Sequence, residues 1–358
     1  MGRFTMYRPT TRNEWWFCGQ LFAQAILSFA IAIYILVEWQ SWVTPRITQL
    51  TISYTVPIGL GILIFAVLFT LILSLDAIHH QNSPLLLAIC VCNSCTLIFS
   101  IMRYRSMRHI TNKLYAHRYN FPTLVDKSRN VWPRIQPAEF ILPVIVGLSN
   151  MSLWLCAYFL RKEFSWTIYK SVHGSNNHGS LKTRKRYRAY EIYIVLIKLI
   201  FFFLTGFIIQ YNLIDVHFDE PEYSLTMAVI PAAFIVIMLG IYFVKHERTY
   251  PMIPILVCYL GMIAYLISRI VILCGHKRRA HTAGKDMMLL FAIAALVSTV
   301  STFLCAIVCV LNFNNGLMVL DRWRRNVARE SSLFRSGYRR ADFELPPYPH
   351  ARQGILLE

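Results

Sequence analysis

Residues 287–312 read MMLLFAIAALVSTVSTFLCAIVCVLN, a continuous apolar run without a single charged side chain. At a rise of about 1.5 Å per residue, a helix of this length exceeds the roughly 30 Å hydrocarbon core of a bilayer. Similar runs occur throughout the chain, at 15–38, 55–77, 84–102, 138–160, 191–213, 224–244 and 251–273. Because backbone groups in lipid must be satisfied internally, each run is predicted to be a helix. The predicted fold is an all-α polytopic membrane protein, a bundle of about eight transmembrane helices.

The third run, 84–102, leaves an alternative open. It is short, and a tight turn at His79–Ser83 precedes it, so it could form a re-entrant hairpin and leave seven spans. In either case, we expect residues 1–14 to be a cytosolic N-terminal segment and residues 15–313 to form the bundle. Residues 314–358, rich in Arg, Ser and Pro, are expected to be a cytosolic and largely disordered tail.

Composition excludes several classes of protein. Of 358 residues, 56% are apolar and only 15% are charged, whereas soluble domains carry about 25% charged residues. A soluble enzyme, a disordered protein and a small disulfide-stapled secreted protein are therefore excluded. The net charge of +18 resides mainly in segments beside apolar runs, so the expected partners are the lipid bilayer and anionic headgroups at these basic loops. We do not expect nucleic-acid binding.

The distribution of Lys and Arg predicts the orientation. With eight spans both termini share a side, and that side carries a modest excess of Lys and Arg, which predicts cytosolic termini. The acidic loop Asp215–Glu222, which has no Lys or Arg, fits the lumenal side. The basic loop Arg103–Arg134 argues against this orientation.

That basic loop begins with an amphipathic pattern. Apolar residues recur at helical spacing between basic ones, at Tyr104, Met107, Ile110 and Leu114. The pattern predicts a helix that continues out of the third span along the membrane surface. The alternative is a solvated loop with scattered arginines.

Ionisable residues inside the spans are the first candidates for function. Asp76 near the end of the second span and Lys198 in the fifth are predicted at similar depth, where they could pair. Arg269 near the end of the seventh lies toward the opposite face, with Glu38 and Asp286 as candidate partners. These three residues are the candidate ligand-binding site, for a substrate or a proton. The alternative is a structural role, through pairing inside the bundle or snorkelling.

The sequence contains no recognised motif for catalysis or metal binding. The chain lacks HExxH, Walker A and GxSxG motifs and paired catalytic carboxylates, so we expect neither an enzyme nor a cofactor. Cys90, Cys92 and Cys95 do not share one helical face, as a tetrahedral metal site would need, so no metal is expected. Asn93 and Asn150 are predicted to hydrogen-bond across helices, and small residues of the eighth span predict close helix packing.

The tail contains one candidate partner-binding motif, formed by Leu345, Pro346 and Tyr348 within Leu-Pro-Pro-Tyr. It resembles the Pro-Pro-x-Tyr ligands of WW domains, which dock in a polyproline II conformation. A WW-containing ubiquitin ligase is therefore a candidate partner. The alternative is a chance match in a proline-rich segment.

Six short sequence segments, taken in order along the chain, resemble those of a known protein family. They are TRNEW at 11–15, KTRKRYR at 182–188, LIKLIFFF at 196–203, GFIIQ at 206–210, SLTMAVIP at 224–231 and VLNFNNGL at 310–317. In this order they resemble an uncharacterised fungal family of Golgi apparatus membrane proteins. The resemblance implies a multi-pass protein of the Golgi membrane but transfers no catalytic or ligand residue.

Two functional classes follow. One is a Golgi or endomembrane protein that carries or senses a small molecule or lipid. The other is a seven-span receptor-like protein at the plasma membrane, with the third segment re-entrant.

Overall fold

The computed structural model describes residues 11–43, 51–116, 131–173, 181–216, 222–246, 248–275 and 284–311. These residues are almost entirely helical. The helices are α1 Arg12–Trp42, α2 Thr51–His80, α3 Ser83–Ala116, α4 Trp132–His173, α5 Leu181–Gln210, α6 Glu222–Lys245, α7 Met252–Cys274 and α8 Lys285–Leu311, and a π-helical segment, Tyr211–Val216, extends α5. In the described part of the chain, 8 helices are long and apolar enough to cross a membrane, which confirms the fold class.

The third helix is long enough for a full crossing and is one of the eight candidate spans among the described residues. α3 is a single helix of 34 residues, longer than the roughly 20 residues that one crossing needs. It follows α2 through a turn of two residues, in which Gln81 adopts a positive φ of 47° and the Asn82 N–H donates to the Ala77 carbonyl at 3.1 Å. The re-entrant hairpin, and with it the seven-span alternative, is therefore wrong.

The start of α1 is fixed by a capping box. The Thr11 hydroxyl accepts a hydrogen bond from the Glu14 N–H, and the Glu14 carboxylate accepts one from the Thr11 N–H. This pair of bonds satisfies two N–H groups that a helix start leaves without partners. The helix consequently begins at Arg12, within the segment predicted to precede the bundle.

The predicted amphipathic continuation of the third span exists, but its apolar face meets protein. Met107 and Ile110 of α3 are 2% and 4% exposed and belong to a cluster with Trp39, Trp42 and Ile135. The expectation that this face would lie on the membrane surface is therefore wrong, because α1 and the start of α4 cover it. Both the helical prediction and the exposure of Arg105 and Arg108 agree with the sequence pattern.

The helices pack in two groups of four. Within α1–α4, consecutive helices pack together and α1 lies along α4. The helices α5–α8 repeat this arrangement, and the α5–α8 contact is the most extensive one between the described helices. The groups meet where α2 and α3 pack against α5 and α8. Aromatic rings fill this junction: Phe69 and Phe202 are stacked with centroids 5.0 Å apart, and Phe99 and Phe291 meet edge to face with centroids 5.5 Å apart.

Small residues allow the close α5–α8 contact. A Cβ atom added at Gly206 of α5 would lie 2.6 Å from the Phe291 ring of α8, closer than any side chain could be placed. On α8, the predicted small-residue seam includes Ser298, Thr302 and Cys309, all of which are buried. The seam therefore serves helix packing, as predicted.

Candidate functional site

Asp76 and Lys198 lie in contact. Lys198 Nζ is 2.5 Å from Asp76 Oδ2, so the pair links α2 of the first group to α5 of the second. Asp76 is one turn before the end of α2 at His80, and we call this end of the bundle the His80 end. The pairing follows the sequence prediction, which placed both residues at similar depth.

His80 completes a cluster of three ionisable groups. As its Nδ1 atom is 3.1 Å from Asp76 Oδ1, the carboxylate contacts the histidine and the lysine through different oxygens. Asp76 and His80 are four residues apart on α2, the spacing that places side chains on one face of a helix. We call Asp76, His80 and Lys198 the ionic cluster.

The ionic cluster is partly open. The side chains of Lys198, Asp76 and His80 are 28%, 31% and 63% exposed. A lysine ammonium has three N–H donors, and the contact with Asp76 uses one of them. The cluster can therefore offer a cation and further donors to an anionic group without first breaking the ion pair.

Arg269 lies elsewhere. Its Nη1 donates to the Tyr211 hydroxyl at 2.9 Å, and its guanidinium carbon is 5.0 Å from the Tyr211 ring centroid and 5.2 Å from that of Tyr265. Tyr211 is 13 residues beyond Lys198 on the same continuous helix, which separates the two by about 20 Å. The structure therefore does not bring Arg269 into the ionic cluster. Sequence reasoning did not anticipate the tyrosines, which stabilise the guanidinium through cation–π contacts.

The structure contains a buried ion pair that the sequence analysis did not predict. Arg103 Nη2 of α3 donates to Glu139 Oε2 of α4 at 2.5 Å, and the side chains are 4% and 1% exposed. We call this end of the bundle, opposite the His80 end, the Arg103 end. A signal was present: Arg103 directly follows the third predicted span, and Glu139 is the second residue of the fourth. Consecutive spans meet at the same membrane face, so the sequence could place these two charges at similar depth, although not in contact.

A layer of polar side chains joins α1, α3 and α4. Gln24 of α1 donates to Asn93 of α3 at 3.0 Å and accepts from Ser149 of α4 at 2.6 Å. Asn93 in turn donates to Asn150 of α4 at 3.4 Å. The predicted hydrogen bonding of the two asparagines across helices is confirmed, whereas Gln24 was not anticipated as their partner.

The tail motif of Leu345, Pro346 and Tyr348 lies outside the described residues, so its role stays a prediction.

The eight apolar helices define this chain as a polytopic α-helical membrane protein. It is similar to a UPF0658 Golgi apparatus membrane protein of Schizosaccharomyces pombe (strain 972), with 25% identity over 279 residues that cover 74% of this chain and 77% of the relative. This relative confirms the resemblance to the fungal Golgi family, and with the eight helices it supports a multi-pass Golgi membrane address. No protein-family model matches the chain. No solved structure matches it either.

Proposed function

We propose that this Golgi membrane protein carries or senses a small molecule or lipid, and that the ionic cluster of Asp76, His80 and Lys198 is its binding site. The supporting observation is the partial exposure of an ion pair within the membrane-spanning region. Because nearly a third of each side chain is exposed, a ligand can reach the pair without the desolvation cost that a fully buried ion pair would carry. Here, ammonium donors remain within reach of a ligand.

The chemistry of the cluster favours a ligand with a phosphate or carboxylate group. Such a group would accept hydrogen bonds from Lys198 Nζ and from the exposed ring of His80. The contact would form at the His80 end of α2 and α5, where lipid headgroups are found in any bilayer that these helices span. A binding or sensing role uses no catalytic group, so we propose that the protein is not an enzyme.

Native mass spectrometry of the full chain, purified in nanodiscs from Golgi membranes, tests this proposal. The wild-type protein is expected to retain a bound lipid or small acid, and Lys198→Met is expected to lower its occupancy about tenfold. Lys245→Met, which removes an exposed lysine from the end of α6, is the matched control. Equal occupancy in all three proteins would overturn the proposal.

Fluorescent tagging of the protein tests its subcellular localisation. We expect Golgi puncta, whereas a plasma-membrane rim would support the receptor-like alternative. The structure removes the re-entrant third segment on which that alternative depended.

We further propose that the basic loops bind anionic headgroups. Arg161 and Lys162, exposed on α4 at the predicted cytosolic side, support this because juxtamembrane basic residues attract the anionic lipids of the cytoplasmic leaflet. The Arg161→Gln, Lys162→Gln double variant should lose phosphatidylserine adducts while keeping phosphatidylcholine adducts. Loss of neither would contradict this contact.

A further inference from the structure

The first helix group has a polar interior. Gln24 and Ser28 of α1, Asn93 and Arg103 of α3, and Glu139 and Asn150 of α4 are each at most 7% exposed. A polar group transferred into such surroundings loses its hydrogen bonds to water and is destabilised unless the protein replaces them. The hydrogen bonds of these side chains therefore show whether protein atoms alone can hold them.

Three of these six side chains form hydrogen bonds within the polar layer. Gln24, Asn93 and Asn150 bond to one another and to Ser149, as described above. In the described part of the chain, by contrast, no partner is present for Ser28 Oγ, Arg103 Nε and Nη1, or Glu139 Oε1. Each unsatisfied buried atom loses its hydrogen bonds to water without a replacement, so several together destabilise the fold.

The unsatisfied atoms lie toward one end. Arg103 is ten residues beyond Asn93 on α3, or about 15 Å along the axis toward the Arg103 end. Ser28 lies one turn beyond Gln24 on α1, which runs in the same direction as α3. In the middle of the first helix group, the polar side chains are thus hydrogen-bonded to one another. Toward the Arg103 end, polar atoms of Ser28, Arg103 and Glu139 have no hydrogen-bond partner among the described residues.

The surroundings of the ion pair limit what could satisfy it. A Cβ atom added at Gly59 of α2 would lie 3.4 Å from Arg103 Cδ, so the α2 backbone closes one side of the arginine. Beyond the pair, Met107 and the tryptophans of α1 form an apolar cluster. A ligand at this position must be small.

The charges of Arg103 and Glu139 limit the kind of ligand that could bind between them. Arg103 and Glu139 together carry no net charge, so an anion would be repelled by the carboxylate and a cation by the guanidinium. Arg103 Nε and Nη1 need acceptors, and Glu139 Oε1 needs a donor. A neutral group with both functions meets these needs at once.

We infer that the Arg103–Glu139 pair binds water, the smallest neutral molecule that both donates and accepts hydrogen bonds. The site is separate from the ionic cluster, at the other end of the bundle, and goes beyond the proposed function. It places a polar ligand inside the first helix group, about 15 Å along α3 from the hydrogen-bonded layer of Gln24, Asn93 and Asn150.

X-ray hydroxyl-radical footprinting of the full chain in nanodiscs, with water as the probe, tests the inference. Radiolysis converts bound water into radicals that oxidise the nearest side chains. Met107, one turn from Arg103 and 2% exposed, reports on the site; Met287 at the start of α8 is 4% exposed and lies at the same end in the second group. We expect Met107 to be oxidised at least about fivefold faster than Met287.

The wild-type comparison decides the matter without any variant. If Met107 is oxidised no faster than Met287, no water occupies the site and the inference is overturned. The Arg103→Leu, Glu139→Leu double variant adds a second test, because removal of the polar atoms should lower the Met107 rate to that of Met287. A folded double variant with an unchanged Met107 rate would show that the label comes from bulk solvent, and would overturn the inference as well.

Discussion

Lys198 Nζ of α5 lies 2.5 Å from Asp76 Oδ2 of α2, and this ion pair connects the two four-helix groups. The aromatic junction between the groups packs through stacked and edge-to-face rings, and the ion pair adds a polar contact to this apolar packing. A charge-assisted hydrogen bond has a fixed geometry. The pair therefore fixes the relative position of α2 and α5 at the His80 end, in addition to any ligand that it binds.

Removal of one partner should destabilise the protein. Lys198→Met leaves Asp76 without its lysine partner, with only His80 still in contact with the carboxylate. A fully buried pair would lose about 3–5 kcal/mol; because each side chain is nearly a third exposed, we expect about 1–3 kcal/mol. Unfolding in SDS-containing mixed micelles measures the change, with Lys245→Met as the control.

The swapped double variant, Asp76→Lys with Lys198→Asp, should recover part of that loss because the charges can pair in the opposite sense. If each single variant is as stable as wild type, the two side chains interact with solvent and headgroups, and the pair has no structural role.

The Arg103–Glu139 pair predicts a larger effect. Arg103→Leu alone would leave Glu139, which is 1% exposed, as an isolated buried carboxylate, and we expect a loss of about 3–5 kcal/mol. The Arg103→Leu, Glu139→Leu double variant should be more stable than this single variant, because no charge remains buried. A double variant less stable than the single one would contradict this account.

Two glycines offer a matched pair for helix packing. Gly206→Ala places a methyl group 2.6 Å from the buried Phe291 ring, whereas at Gly261 of α7 nothing lies within 4 Å. We expect Gly206→Ala to cost about 1–3 kcal/mol through overpacking, and Gly261→Ala to be neutral or slightly stabilising. Unfolding of both variants in mixed micelles checks the difference. Equal stability of the two would show that α5 and α8 do not approach so closely.

The sequence was sufficient for the architecture because lipid imposes one simple rule. A long uncharged run such as 287–312 must be a helix, and eight such runs define a bundle. Depth along a span also follows from residue number, which is why Asp76 and Lys198 could be paired. The same reasoning did not reveal which face of each helix points inward, because apolar residues occur on both protein-facing and lipid-facing sides.

The contacts that the sequence analysis did not predict depend on which face of each helix points into the bundle. Glu139 and Gln24 stand among apolar residues, and only the packing of α1, α3 and α4 shows that both point into the first group. The face of Met107 and Ile110 was misassigned for a related reason: amphipathic spacing indicates burial but does not distinguish lipid from the tryptophans of α1. Of the tyrosines around Arg269, Tyr265 is one turn earlier on the same helix, α7, so its spacing was a usable signal. Tyr211 comes from the extension of α5, and only the packing reveals it.

The orientation of the bundle is still a prediction and can be tested with glycosylation sequons. Both termini should be cytosolic and the loop Asp215–Glu222 lumenal. A sequon inserted into that loop should be glycosylated, and one inserted near His178 should not, as judged by a mobility shift that glycosidase removes. Glycosylation near His178 would reverse the orientation.

The last prediction concerns the tail. In Leu345-Pro346-Pro347-Tyr348, consecutive prolines favour an extended polyproline II conformation, so little entropy is lost when the segment docks into an aromatic groove. On a cytosolic tail, this motif would give a WW-containing ubiquitin ligase access to the protein and so set its lifetime in the membrane. Pro346→Ala with Tyr348→Ala should weaken binding of the tail to a WW domain about tenfold or more, and should lengthen the half-life in a cycloheximide chase. Arg352→Ala, outside the motif, is the control. Unchanged binding and unchanged half-life in the double variant would leave the motif without a role.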